Sequence, residues 1–174
     1  MVDTIVFQIV GFKNSGKTTL IKNMIHVLTN QQIEVAVLKH HGHGGIPDIG
    51  ENDSEQHFSA GATASMVEGA GTIQLLSRMS KNEPPSVPAL LGVLRFFEPH
   101  VILVEGYKRE IYPKAVVIKE ESDFRLLKEL DNIQAVIAWP DCYQKATDLV
   151  SKPILVFQLG ETDFFDWFLT EYFQ

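Results

Sequence analysis

The sequence predicts an α/β protein, a three-layer sandwich of the P-loop nucleotide-triphosphatase type with a mostly parallel sheet and one β-hairpin. Three observations predict it. Several strand-length apolar runs are continuous rather than alternating, as in strands covered on both faces. Segments with helical apolar spacing are interposed, giving the right-handed crossovers of parallel sheets. The stretch GFKNSGKT, Gly11 to Thr18, joins the first such run to the first such helix.

The elements follow in order. TIVFQIV (Thr4 to Val10) is β-branched and ends at Gly11, a buried strand. From Lys17, the residues Leu20, Ile21, Met24, Ile25, Val27 and Leu28 recur at helical spacing, so a helix with one buried stripe runs to about Gln31. EVAVLK (Glu34 to Lys39) is the second strand and completes a βαβ unit. His40 to Ser54, with three histidines and four glycines, has no periodicity and reads as a long loop beyond that strand. Ser54 is placed to cap a short helix through Phe58. TASMVEG and TIQLLSR, joined across Ala70 and Gly71, read as a hairpin. SKNEPPSVP is linker-like and precedes a helix from Pro88 to about Phe97. Four more strands follow in VILVEG (Val101 to Gly106), KAVVIK (Lys114 to Lys119), AVIAW (Ala135 to Trp139) and ILVF (Ile154 to Phe157). A terminal helix carries Phe164, Phe165, Phe168, Leu169 and Tyr172 on one flank.

Bulk properties narrow the class. A chain of 174 residues with 45% apolar composition suits one domain with its own core, so residues 1–174 read as a single nucleotide-binding domain. The 15 basic and 22 acidic residues leave a net charge of −7 without a Lys/Arg block, so nucleic acid is not an expected partner. Cys142 is the single cysteine and no charged-then-apolar leader opens the chain, which points to the cytoplasm. No apolar run approaches the roughly 20 residues of a membrane span.

The chemistry concentrates at GFKNSGKT. Gly11, Gly16, Lys17 and Thr18 meet the pattern G-x-x-x-x-G-K-[ST], with Asn14 and Ser15 inside the loop. The function requires a strand to deliver the chain, a loop that can turn around a polyphosphate, and a helix whose positive amino end faces the anion. All three occur in order. Lys17 is then expected on the β- and γ-phosphates and the Thr18 hydroxyl on Mg²⁺. Lys13, four residues before Lys17, reads as a solvated loop charge.

A P-loop protein holds Mg²⁺ through an acid that follows an apolar strand, and VILVEG supplies Glu105 there. Asp48 and Asp53 lie in the long loop, and Asp53 is the better candidate for a further metal contact. His40, His41, His43 and His57 crowd a short span and raise Zn²⁺ or Ni²⁺ binding. With no cysteine beside them, surface histidines are the simpler reading, with Lys39 and His40 facing phosphate or a partner. No N-K-x-D or T-K-x-D tetrapeptide occurs, so no motif reads the base. Asp141 in AWPDC is the nearest positional candidate, with a turn aspartate after Pro140 as the plainer alternative.

Beyond the loop, the segments VGFKNSGKTTLIKNMI, VAVLKHHGH, GENDSEQHFSAGA, and VILVEGYK followed by PKAVV resemble the molybdopterin-guanine dinucleotide biosynthesis protein B family in order and spacing. The likeness covers most of residues 4 to 119 and is far more specific than the P-loop pattern. It implies a dimeric GTP-binding accessory protein of molybdenum cofactor biosynthesis with weak intrinsic GTPase activity, assisting the guanylyltransferase that joins GMP to molybdopterin. The matching positions are Gly11, Gly16, Lys17, Thr18 and Thr19 for phosphate, Lys39 and His40, Asp53 and Ser54, the turn Ala60 to Ala62, and Glu105, Gly106 and Lys108. Lys13 and the doubled His40-His41 depart from the family pattern.

Two other classes compete with this adapter reading. A metal-delivering GTPase of the nickel-insertion type follows from the histidines, and a small-molecule kinase follows from the loop with Glu105 or Asp53 orienting an acceptor hydroxyl. Hydrolysis is expected to be slow at most, because no water-positioning Gln can be placed and Arg78, Arg95 and Arg109 are the sole finger candidates. A symmetric dimer is expected on two grounds. FFDWFLTEYF packs seven aromatics and leucines into ten residues, and the hairpin presents an open edge.

Overall fold

The computed structural model describes residues 4–40, 53–79 and 84–174. In chain order the elements are β1 (Ile5–Val10), α1 (Lys17–Asn30), β2 (Val35–Lys39), α2 (Asp53–Ser59), β3 (Ala64–Gly69), β4 (Thr72–Ser77), α3 (Val87–Arg95), β5 (Val101–Glu105) and β6 (Lys114–Ile118). A 3₁₀ turn (Glu121–Arg125), α4 (Leu126–Glu129), β7 (Ile133–Ala138), α5 (Pro140–Leu149), β8 (Leu155–Gln158) and α6 (Asp163–Phe173) follow. The chain forms two compact units, Met1–His40 with Leu90–Gln174, and His41–Ala89.

The first unit is a six-stranded sheet ordered β2-β5-β1-β6-β7-β8, parallel at every pairing. Strand residues alternate between two cores, which explains why their sequences read as continuous apolar runs. Phe7 and Ile9, Val101 and Leu103, Ala115 and Val117, and Ala135 and Ile137 face α1 and α6. Val10, Val116 and Ile118, and Val136 and Ala138 face Leu126 of α4 and Cys142 and Ala146 of α5. Helices therefore cover both faces, as the predicted sandwich requires. Phe164 and Phe168 of α6 are fully in the core, with Phe168 edge-on to Phe7 at 4.9 Å. The terminal aromatics thus close this chain's own sheet, and their apolar area is no longer an argument for a dimer.

The second unit holds α2 and the hairpin. β3 and β4 pair antiparallel from Ala64 with Ser77 to Gly69 with Thr72. Ala70 and Gly71 both have positive φ, 50° and 76°, the type I′ combination whose twist matches the strands it joins. Arg78 stacks on Phe58 at 4.4 Å and donates to its carbonyl at 3.2 Å, which ties α2 to the end of β4.

Two expectations are corrected. The helix at Asp53 already contains Ser54, so Ser54 is not its cap. Pro140 and Asp141 are not in a turn: they form the first turn of α5, where proline tolerates the missing N–H and an acid complements the helix dipole. The segment after Lys119, for which the sequence carries no clear periodicity, folds as the 3₁₀ turn and α4, opened by a reciprocal capping box between Glu120 and Asp123.

Candidate functional site

β1 is an inner strand of the sheet, and its carboxyl end delivers the chain into Gly11 to Gly16. The loop folds tightly on itself. A Cβ at Gly11 would lie 2.7 Å from Ser15 Oγ and 3.0 Å from the Val117 carbonyl oxygen, so no other residue fits without moving backbone. Asn14 takes φ 59° and Gly16 φ 101°, two left-handed residues that reverse the chain and aim it into α1. Ser15 is 1% exposed, and its carbonyl accepts from Trp139 Nε1 at 2.8 Å, while the Asn14 carbonyl accepts from Lys119 Nζ at 3.2 Å. The loop is therefore pinned from the ends of β6 and β7. Neither anchor was singled out in the sequence, where Trp139 reads as one more apolar strand residue.

Lys17, the first residue of α1, turns back over the loop and donates to the Phe12 carbonyl and, at 3.4 Å, to Ser15 Oγ. Desolvation pulls its pKa below the usual lysine value. Glu105 pulls it back up, and the ammoniums of Lys108 and Lys39 push it further down. Three cations and two carboxylates, those of Glu105 and Asp123, thus act on one another around the loop. Lys13, Asn14, Thr18 and Thr19 are exposed around it. Lys108 stacks over Phe12 at 5.0 Å, and Arg125 takes the same ring at 4.5 Å.

The acid partner comes from β5, the neighbour of β1, with Glu105 in register with Ile9 on one side and Lys39 on the other. Glu105 is 8% exposed and Oε1 accepts from Thr18 Oγ1 at 2.8 Å. Lys39 Nζ lies 3.2 Å from the same Oε1 and donates to Thr18 Oγ1 at 3.3 Å. The turn leaving β5 is held by Gln8, the polar residue inside the apolar strand IVFQIV. Its Nε2 donates to the carbonyls of Gly106 and Tyr107 at 3.1 and 2.9 Å, and this fixes Tyr107 at φ 51°. That glutamine was a legible signal, since an amide in a doubly covered strand needs a buried partner.

Thr18 Oγ1 and Glu105 Oε1 suit a hard divalent cation. Two adjacent ligands of an octahedral Mg²⁺ at about 2.1 Å stand about 3.0 Å apart, close to their 2.8 Å spacing. The donors are oxygens, the chemistry Mg²⁺ prefers. Asp53 begins α2, in the second unit. Asp48, His41 and His43 lie outside the described residues, and His57 is in α2. His40 stacks on Tyr107 at 4.7 Å. Among the described residues no group of three or more His, Cys, Asp or Glu could hold a metal ion, and no helix is long and apolar enough to cross a membrane.

With the phosphate-loop motif on an inner strand and its acid on the adjacent one, the fold is that of the P-loop nucleotide-triphosphatase class. The chain belongs to the family described as Molybdopterin guanine dinucleotide synthesis protein B, whose model matches residues 6–139. It is 38% identical over 134 residues to the probable molybdopterin-guanine dinucleotide biosynthesis adapter protein of Bacillus subtilis, covering 76% of this chain and 75% of the relative. The corresponding Escherichia coli adapter protein is 28% identical over 115 residues, 66% of either chain. Among solved structures, a crystal structure of Bacillus subtilis MobB superimposes with a TM-score of 0.79 at 32% identity, covering 97% of this chain and 98% of that one. A MobB homologue from Bacillus stearothermophilus gives 0.70 at 31% identity, covering 96% and 97%.

Proposed function

We propose that this chain is a GTP- and Mg²⁺-binding adapter of molybdenum cofactor biosynthesis. In this reading it assists a guanylyltransferase in joining GMP to molybdopterin, works in the cytoplasm as a homodimer, and is at most a slow GTPase. The observation that carries the nucleotide reading is the Thr18–Glu105 contact beneath the phosphate loop, and the relatives' printed names supply the pathway.

Gly11, Asn14, Ser15, Gly16, Lys17, Thr18 and Thr19 form the phosphate cradle, with Lys17 and Lys39 supplying cationic charge to the β- and γ-phosphates. Thr18 and Glu105 hold Mg²⁺, which neutralises charge on bridging phosphate oxygens. The hairpin supports the dimer. Met66, Val67, Ile73 and Leu75 are 62, 45, 44 and 45% exposed, an unusual load of apolar area for a two-stranded sheet, which is marginal by itself.

Calorimetric titration of the protein with GTP, ATP and Ni²⁺ tests the assignment. Tight Mg²⁺-dependent GTP binding is expected. Tight Ni²⁺ binding would move the protein to the metal-delivery class, and preferential ATP binding would move it toward a kinase. Light scattering at micromolar concentration is expected to give twice the 19.5 kDa chain mass. A monomer mass that GTP does not change would refute the dimer.

A further inference from the structure

We propose that Lys39 is a tethered cation that occupies the metal's two oxygens until a metal–nucleotide complex displaces it onto the terminal phosphate, so that metal and nucleotide bind as a coupled pair. This rests on the metal and phosphate reading above and goes beyond it by assigning Lys39 a second position.

The argument starts from Glu105. Its side chain is 11% exposed, and a carboxylate so far withdrawn from water requires a cation. The fold supplies one by register. β2 and β5 are parallel neighbours with Lys39 opposite Glu105, so the two side chains leave the same face at the carboxyl end of the sheet. The ammonium reaches Glu105 Oε1 at 3.2 Å and Thr18 Oγ1 at 3.3 Å, the two atoms a divalent ion would ligate.

One pair of oxygens cannot serve both cations. A divalent ion at its ordinary bond length between those atoms either overlaps the ammonium or repels it at close range. The metal alone must therefore displace Lys39 into water, losing an ion pair. When the metal arrives with a triphosphate, the displaced ammonium finds a new anion. Lys39 is 53% exposed on a four-carbon stem, so it has the freedom to move. Lys17 already crowds the loop mouth with a second ammonium, which adds to the advantage of bringing phosphate charge together with the metal.

The probe is Mn²⁺, counted by loss of the free-ion electron paramagnetic resonance signal, with the full chain and no nucleotide. Lys39→Met is expected to bind Mn²⁺ about ten-fold or more tightly than wild type, and Lys39→Gln, which also removes the charge, is expected to behave alike. Adding Glu105→Gln to Lys39→Met is expected to abolish the gain. With GTP present, wild type is expected to recover most of the difference. Equal Mn²⁺ affinity in wild type and both Lys39 variants, while Mn²⁺–GTP still binds wild type, would overturn the exchange and leave the site reading standing. A gain that survives Glu105→Gln would overturn it too, because the competition would lie elsewhere. Absence of Mn²⁺ binding in every protein even with GTP would overturn the site reading and this proposal together.

Discussion

The mouth of the phosphate loop and the foot of β6 each hold a lysine withdrawn from water, and the two regions use it in opposite ways. Lys114 is fully buried, and its ammonium is held by the chain itself, donating to the carbonyls of Glu110 at 2.8 Å and Asp131 at 2.6 Å. Lys17 is partly open, has one good carbonyl partner at Phe12, and faces two further ammoniums. Burial pushes both pKa values down, but the surroundings differ. At Lys114 the nearby acids Asp131 and Glu110 pull the value back up unopposed, whereas at Lys17 the pull of Glu105 and Asp123 is countered by Lys108 and Lys39, which add to the fall. A desolvated charge held between backbone carbonyls stitches loops together. One whose acids are shared with competing ammoniums is prepared for an anionic ligand.

Exchanging the two charges breaks this comparison most directly. Lys17→Ala should cost at least about 100-fold in triphosphate affinity, through lost charge-assisted contacts, with no loss of thermal stability. Lys114→Met should do the reverse. It leaves two inward carbonyls without a donor and should cost about 2–4 kcal/mol of stability, while triphosphate affinity in the folded fraction is retained. Chemical denaturation and calorimetry on both variants read the two effects separately. A destabilised Lys17→Ala that still binds would erase the distinction.

The second prediction sharpens the same line at the metal. Loss of a residue behind a metal ligand typically costs 10–100-fold in affinity, so loss of a ligand itself, Glu105→Gln, should weaken Mg²⁺-dependent GTP binding by at least ~10-fold. Binding in EDTA should fall far less. Equal losses with and without metal would place Glu105 in the loop's scaffold, closer to the role of Lys114.

These contrasts also explain what was legible in the sequence. The loop, its helix and Glu105 carry local patterns: a glycine spacing, an apolar stripe, and an acid ending an apolar strand. The hairpin was legible for the same reason, since its turn pair Ala70-Gly71 is local chemistry. Lys114 was invisible as a buried charge, because its acceptors, Glu110 and Asp131, are backbone groups whose positions no side-chain pattern encodes. The Trp139 and Lys119 anchors of the loop span more than 100 residues of sequence. α5 escaped notice because its buried stripe is narrow, Cys142 and Ala146 one turn apart, and its opening Pro140 reads equally as a turn or as a first helical residue. The terminal aromatics read as core or dimer packing, and the fold puts Phe164 and Phe168 in the core, since apolar area in a sequence does not say which face it meets.

A buried group can also be held in its neutral form, and Tyr172 provides that third case with the smallest expected effect. Its ring sits among Phe7 at 5.4 Å, Phe168 at 4.7 Å and Trp167 at 6.1 Å, and desolvation, with a contribution from Glu171, pushes its pKa up to about 12 from 10.0. Below pH 10 the phenol is neutral in folded and unfolded chains alike, and its burial contributes in full. Between pH 10 and about 12 the unfolded chain loses the proton first, so the folded state binds more protons and stability falls as pH rises. Tyr172→Phe keeps the ring and removes the titration. Its urea midpoint should therefore fall less steeply than that of wild type between pH 9.5 and about 11, the remaining tyrosines and lysines contributing equally to both proteins. Parallel slopes would mean that the phenol meets water or a counter-charge in the folded chain, and that α6 seals the sheet less completely than its packing on Phe7 implies.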